Sequence, residues 1–291
     1  EGDEKKINLT RIHMEEDSGK SVHDIDPFNT LVDLNRAGIP LLEIVSEPEI
    51  KNGEEAYSYL SEIRKLVRYL EISDGNMEEG SLRADLNISV RKKGVTKFGT
   101  KVEVKNMNSF RNVQKAIDFE ITRQIDLIES GEEIHQETRT YDAAKNITIG
   151  LRSKEDAHDY RYFPEPDLVP VIVPQSYVDS VRENMPPLPY ELFVKYSKEL
   201  GLSEYDAYVL TDSKAFALYF EEVIKHTTNY KGATNLLIGP VKSWLNEHSV
   251  EIGEFPIAPA ALSSIQTLID EEKISISTAT QKLFPALLED P

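Results

Sequence analysis

Leu82-Arg83-Ala84-Asp85-Leu86-Asn87-Ile88-Ser89-Val90-Arg91 decides the fold class. Apolar and polar residues alternate without a break, and a period of two gives a β-strand one apolar and one polar face. Val102 and Val104 repeat the pattern, with Lys101, Glu103 and Lys105 interleaved. The link between the two runs, Lys92-Lys93-Gly94-Val95-Thr96-Lys97-Phe98-Gly99, is basic and turn-rich, so the pair reads as a hairpin. An antiparallel sheet with one open face is the simplest outcome. That face sets Arg, Asp, Asn, Lys and Glu side by side.

Helical patterns flank the hairpin. Asn52 suits an N-cap, with Glu55 three residues on as in a capping box, and Ala56, Leu60, Ile63, Val67 and Leu70 recur at helical spacing. A second helix starts near Asn108 or Ser109, carries the stripe Val113, Ile117, Ile121, Ile125, Ile128, and stops at Gly131. After Pro186-Pro187-Leu188-Pro189 the chain reads as helix after helix, although Pro240 must start or kink the one it sits in. The expected architecture is α+β: a sheet-bearing domain over 1–183 and an all-α domain over 184–291.

The 291 residues are 40% hydrophobic and 29% charged, as in a globular protein, and no window reaches the apolar run of a membrane span. The start, Glu1-Gly2-Asp3-Glu4-Lys5-Lys6, has no apolar signal segment; it also lacks Met, from which we expect a missing N-terminal stretch. With no cysteine, thiolate catalysis, disulfides and cysteine-zinc sites are excluded within the chain, and a cytosolic protein is the default. A formal charge of −18 repels phosphate backbones, so any nucleic-acid contact must be local or shared.

Five regions could carry chemistry. Glu43 stands inside the apolar run Pro40-Leu41-Leu42-Glu43-Ile44-Val45, where a carboxylate needs an ion-pair partner or a metal. His13-Met14-Glu15-Glu16-Asp17 reads either as a solvated acidic turn or as a source of Mg²⁺ ligands. Met77-Glu78-Glu79-Gly80-Ser81 offers backbone N–H groups to an anion, and the polar hairpin face is either plain exposed sheet or a nucleotide platform. Asp159-Tyr160-Arg161-Tyr162-Phe163-Pro164-Glu165-Pro166-Asp167 is a partner or RNA contact, or a loop pinned by its aromatics. No Walker A loop, Rossmann fingerprint or nucleophile–His–acid arrangement is present.

Taken together, these segments resemble one family. Arg11 to Lys20 looks like its acidic-turn motif, Leu31 to Pro48 is similar to its signature at nearly every position, and Met77–Arg91, Lys101–Phe110, Glu137–Arg139 and Asp159–Asp167 follow in order. The family is that of the B subunits of the tRNA-dependent aspartyl/glutamyl amidotransferases. The resemblance implies a cradle domain like that of glutamine synthetase followed by a helical domain. It also implies ATP and Mg²⁺ as cofactors, with the ion on Glu16 and Glu43. By the same resemblance, Lys101, Glu103 and Lys105 line the catalytic cavity with Glu16 and Glu43, and Arg83, Asp85 and Asn106 face the nucleotide. The implied reaction is phosphorylation of the side-chain carboxylate of Glu-tRNA(Gln) or Asp-tRNA(Asn), then amidation. Ammonia would come from an amidase-type glutaminase, the A subunit, with a small C subunit and mischarged tRNA as the other partners. No membrane is involved. The compartment is the bacterial cytoplasm, or a mitochondrial or plastid matrix. Two family parts are expected to be absent, an N-terminal Glu-x-His strand and a C-terminal tail domain. The rival readings are an RNA-binding scaffold and a stand-alone ligase for a small amino acid.

Overall fold

The computed structural model describes residues 4–22, 25, 26, 28–151 and 169–289. The chain divides into two units, Glu1–Leu60 with Ala84–Ser153 and Ser61–Arg83 with Lys154–Pro291. α-Helices and small, mostly antiparallel sheets match the expected mixture of classes, but segment 61–83 groups with the helical part rather than with the sheet.

The first unit opens with β1 (Leu9–Glu16), β2 (Lys20–Val22), β3 (Leu31–Asp33) and β4 (Pro40–Ser46). β1 pairs antiparallel with β4, and the shorter β2–β3 pair lies between them in sequence. Asp17 follows β1 and, of the three consecutive acids Glu15, Glu16 and Asp17, is the one that the structure buries. Its carboxylate accepts from Arg36 Nε at 2.9 Å, while its backbone bonds Ile39 and Gly38 and so closes the turn into β4. The β1–β4 ribbon pairs two strands, and among the described residues both of its faces are open: Ile12 (57% exposed), Met14 (77%) and Leu42 (43%) share one face, and the half-exposed side chains of Arg11, His13 and Glu43 share the other. The run around Glu43 is therefore not the buried strand that its apolar composition suggested.

α1 (Gly53–Tyr69) begins as expected, with Asn52 Oδ1 accepting from Glu55 N at 2.8 Å. The Glu55 carboxylate departs from a capping box: it accepts from Lys51 N and pairs with Lys5. β5 (Leu86–Ile88), β6 (Val102–Lys105), β7 (Thr138–Asp142) and β8 (Ile147–Gly150) form one sheet in that order, and α2 (Phe110–Ser130) runs between β6 and β7. β5–β6 is antiparallel, as the alternation implied, but β6–β7 is parallel. A helix of 21 residues returns the chain to its starting end, which a turn cannot do, and this makes the sheet mixed. Ser109 caps α2 by accepting from Asn112 N, and Gly131, at φ 81°, ends it with the backbone bonds Gly131 N–Ile128 O and Glu132 N–Leu127 O.

The ten-residue alternation yields only a three-residue strand. Upstream, Asn76 gathers the backbone: its side chain accepts from Glu78 N, and its carbonyl accepts from Ser81 N and Leu82 N. Downstream, Val90 N donates to the Gln124 side chain instead of to β6. The core of the unit is Val102, Val104, Val113 and Ala116, all fully buried. The stripe on α2 is also rotated from expectation. Glu120 and Gln124 are fully buried, while Ile125 and Ile128 reach solvent.

The second unit contains α3 (Gln175–Glu183), α4 (Pro189–Val194), α5 (Glu204–Leu210), α6 (Lys214–Ile224), α7 (Tyr230–Leu236), α8 (Lys242–His248), α9 (Pro259–Asp270), α10 (Ile276–Thr278) and α11 (Phe284–Glu289). π-helical turns extend α4 and join α7 to α8 and α10 to α11. Pro240 falls in one of these wider turns, where its missing N–H removes no regular α-helical bond. Tyr69, from the end of α1, enters this core and donates to Thr211 O at 2.9 Å beside Tyr196, Phe220 and Leu210.

Candidate functional site on the open sheet face

The four-stranded sheet has a dry face and a wet one. Val102 and Val104 turn toward α2, so Glu103 and Lys105, one residue out of phase, take the other face. The register continues that face across the sheet: Asn87 stands opposite Glu103, Glu103 beside Thr138, Lys105 beside Thr140, and Thr140 opposite Ile149. Lys105 Nζ lies 3.0 Å from Asp85 and 3.1 Å from Glu103. Partial burial disfavours its charge, but the hydrogen bonds to Asp85 and Glu103 outweigh that cost, and its pKa is raised above the ordinary lysine value. Lys105 is thus held in one place between two carboxylates that favour its charged form. The Thr138 hydroxyl donates to Glu103 at 2.8 Å and fixes the second carboxylate. Asn106 follows in the left-handed region, φ 67°, which Asn tolerates better than most residues, and its amide donates to Thr140 Oγ1 at 2.9 Å.

The sheet is locked from behind by charge. Glu120 accepts from Arg123 (2.6 Å), Gln124 (2.9 Å) and Thr148 (2.9 Å), with Arg139 Nε at 3.7 Å. Burial pushes the Glu120 carboxyl upward, but these donors more than offset it and hold its pKa below the usual value. Arg139 also donates to Glu137 and to Thr148, tying β7 to β8. Arg139 sits between Thr138 and Thr140 on β7, so the network that fixes the arginine also fixes the two hydroxyls on the wet face.

Five of the expected site residues belong to this region. Asp85, Glu103, Lys105 and Asn106 are tied together or to the same strands, and Lys101, exposed, precedes β6. Arg83 falls in the segment that groups with the helical unit. Glu16 and Glu43 lie on the β1–β4 ribbon. Glu43 is directly opposite His13, and Glu16 is opposite Pro40. Glu16 is three residues beyond His13, so the alternation turns it to the other face from Glu43. Glu43 instead takes Arg11 at 3.1 Å, with His13 Nδ1 at 3.9 Å. Among the described residues no cluster of three or more His, Cys, Asp or Glu is arranged to hold a metal ion. The register thus sets Glu16 and Glu43, the two residues expected to share an ion, on opposite faces of the ribbon.

The other candidates are less informative. Met77–Ser81 forms a turn around Asn76, with Gly80 at φ 77°. Asp159–Asp167 lies outside the described residues. A depression of about 330 Å³, lined by Arg68, Glu71, Ile72, Ser73 and Asp74, belongs to the helical unit and holds none of the candidates. The residues that sequence reasoning missed are Thr138, Thr140 and Glu120. The two threonines alternate with Arg139 at a period of two, which is a readable signal; Glu120 gives none, since it sits beside apolar positions on a helix.

Comparison with known proteins covers nearly the whole chain. Residues 1–179 match the family described as the GatB/GatE catalytic domain, and residues 218–290 match the GatB domain. The B subunit of the aspartyl/glutamyl-tRNA(Asn/Gln) amidotransferase of Caldicellulosiruptor bescii is 47% identical over 291 residues, which are 99% of this chain and 60% of that protein. The proteins of the same name from Trichormus variabilis and Burkholderia lata are each 51% identical over 289 residues, spanning 98% and 99% of this chain and 59% of their own length. The chain thus spans about three-fifths of the curated relatives it matches. With a catalytic-domain match over more than half its residues and identity near one-half throughout, the chain belongs to the family of amidotransferase B subunits.

Proposed function

We propose that this chain carries the carboxylate-activating part of a tRNA-directed amidotransferase, in a cradle related to glutamine synthetase. The side-chain carboxylate of a Glu or Asp esterified to tRNA resists attack by ammonia, because neither oxygen can leave. Phosphorylation by ATP creates an acyl phosphate with a competent leaving group, and ammonia then displaces phosphate to form the amide. Glutamine hydrolysis falls to a separate amidase-type glutaminase, the A subunit, with a small C subunit completing the assembly. B subunits of this name in bacterial relatives favour a cytoplasmic setting.

The observation that carries this reading is Lys105, clamped between Asp85 and Glu103 on an open sheet face. A fixed ammonium can offset charge that develops on a transferring phosphoryl group without moving at the moment of reaction. Glu103, oriented by Thr138, and Asn106, oriented by Thr140, supply an acceptor and a donor of fixed position beside it. Two carboxylates to one ammonium leave this trio net negative, which suits ATP arriving as its magnesium complex and disfavours bare phosphate. No step requires an ion shared by Glu16 and Glu43.

The test is Lys105→Met in the assembled enzyme. ATP-dependent amide formation on charged tRNA should fall by about a hundredfold or more, while glutamine hydrolysis by the partner remains measurable. Unchanged amidation would remove Lys105 and the sheet face from the reaction.

A further inference from the structure

The hairpin link between β5 and β6 stands apart in charge from the rest of the molecule. Residues 91–101 contain Arg91, Lys92, Lys93, Lys97 and Lys101 and no acid, in a chain whose net charge is −18. All five of these residues are exposed. Elsewhere lysines and arginines are repeatedly held by carboxylates, as in Lys105–Asp85, Arg123–Glu120, Lys195–Glu221 and Lys225–Glu222. Among the described residues, no carboxylate pairs with any of the five in the link.

The link is also built to hold its shape. A side chain on Gly99 would place Cβ 2.2 Å from the Val90 carbonyl oxygen, so the two ends of the loop meet closely only because residue 99 is glycine. Gly94 takes φ 91° at the turn, and Val95 N donates to Lys92 O at 3.1 Å. Arg91 donates to Thr96 O and lies 4.5 Å from the centre of the Phe98 ring. This leaves Lys92, Lys93 and Lys97 presented on a closed loop. Like charges held together without counter-ions repel one another, and a polyanion relieves that repulsion by taking up the cations and releasing its own condensed counter-ions.

We propose that the 91–101 loop grips the phosphate backbone of the RNA substrate at the edge of the sheet face. The inference rests on the reading of the chain as part of a tRNA-directed enzyme, and it names the contact that brings the acyl end to the Lys105 face. The loop's base runs directly into β6, which carries Glu103 and Lys105. Phosphate contacts position RNA without reading its sequence, so the loop contributes affinity and leaves choice of amino acid to other groups.

The experiment uses the assembled enzyme and a fluorescently labelled tRNA transcript, titrated at several salt concentrations. The variant is Lys92→Ser/Lys93→Ser/Lys97→Ser, and the control is Lys225→Ser/Lys273→Ser/Lys282→Ser in the helical unit. Losing up to three phosphate contacts should weaken binding by about tenfold or more and make the slope of log K against log salt shallower by about two units. The control should change neither. Amidation by the loop variant should show a raised KM for charged tRNA and an unchanged kcat, which a folding defect would not produce. Parent-like affinity and salt slope in the loop variant, or equal loss in the control, would overturn the proposal. If amidation still requires ATP and Lys105 in that case, the proposed function stands and only the loop contact fails.

Discussion

The β1–β4 ribbon and the β5–β8 sheet both carry acidic and basic residues on strands, yet only the sheet organises them. In the ribbon, Glu43 meets Arg11 across the strands, with side chains about half exposed, and Glu16 turns to the opposite face. In the sheet, α2 packs against one side, its buried Glu120 holds Arg123 and Arg139, and the opposite side presents Lys105, Glu103 and Asn106 with named partners. The difference lies in the backing layer. A second layer removes rotamer freedom and water from one face, and the polar groups on the other then have fixed neighbours to bond. Two strands alone leave their charges to solvent.

This contrast is open to direct attack, and the largest effect should come from the backing layer. Glu120→Ala leaves two arginines facing a buried gap and should destabilise the unit by about 3–5 kcal/mol, measured by urea unfolding. Lys105→Met should spare folding, with an unfolding midpoint close to the parent's, and remove activity as described for the proposed function. The same network predicts a pH response. Because Glu120 titrates below its usual value of 4.5 in the folded chain, its contribution is complete above that pH and is lost as pH falls through the depressed value. Thermal melts should therefore show Tm falling on acidification below pH 4.5, less steeply in Glu120→Gln. Ser109→Ala, which removes the α2 cap, should cost about 1 kcal/mol. Smallest of all, Arg11→Ala should change stability by less than about 1 kcal/mol, since its pair with Glu43 is exposed. A cost above about 3 kcal/mol there, the scale of a broken buried pair, would show that the ribbon is organised after all.

Much of this fold was legible in residue patterns. The α1 and α2 boundaries followed from Asn52, Ser109 and Gly131, because capping is local and needs no knowledge of distant partners. The β5–β6 pairing followed from alternation. The parallel β6–β7 contact did not, since nothing local states which edge a returning strand will join. The rotation of α2 was hidden for a related reason: Glu120 and Gln124 look like surface residues until Arg123, Arg139, Thr148 and the Ile88 carbonyl supply their bonds. At the site, Lys105, Glu103 and Asp85 were visible as one polar face. The joint role of Glu16 and Glu43 was drawn from resemblance, and the strand register separates them.

The sheet face is proposed to activate a carboxylate by phosphoryl transfer. The most direct measurement is isotope transfer: the assembled enzyme is given glutamyl-tRNA labelled with ¹⁸O in the side-chain carboxylate, with ATP and glutamine, and the released phosphate is analysed. One labelled oxygen per phosphate is expected, with ATP-dependent transfer lowered by about a hundredfold or more in Lys105→Met. Phosphate free of label while amide forms would contradict it.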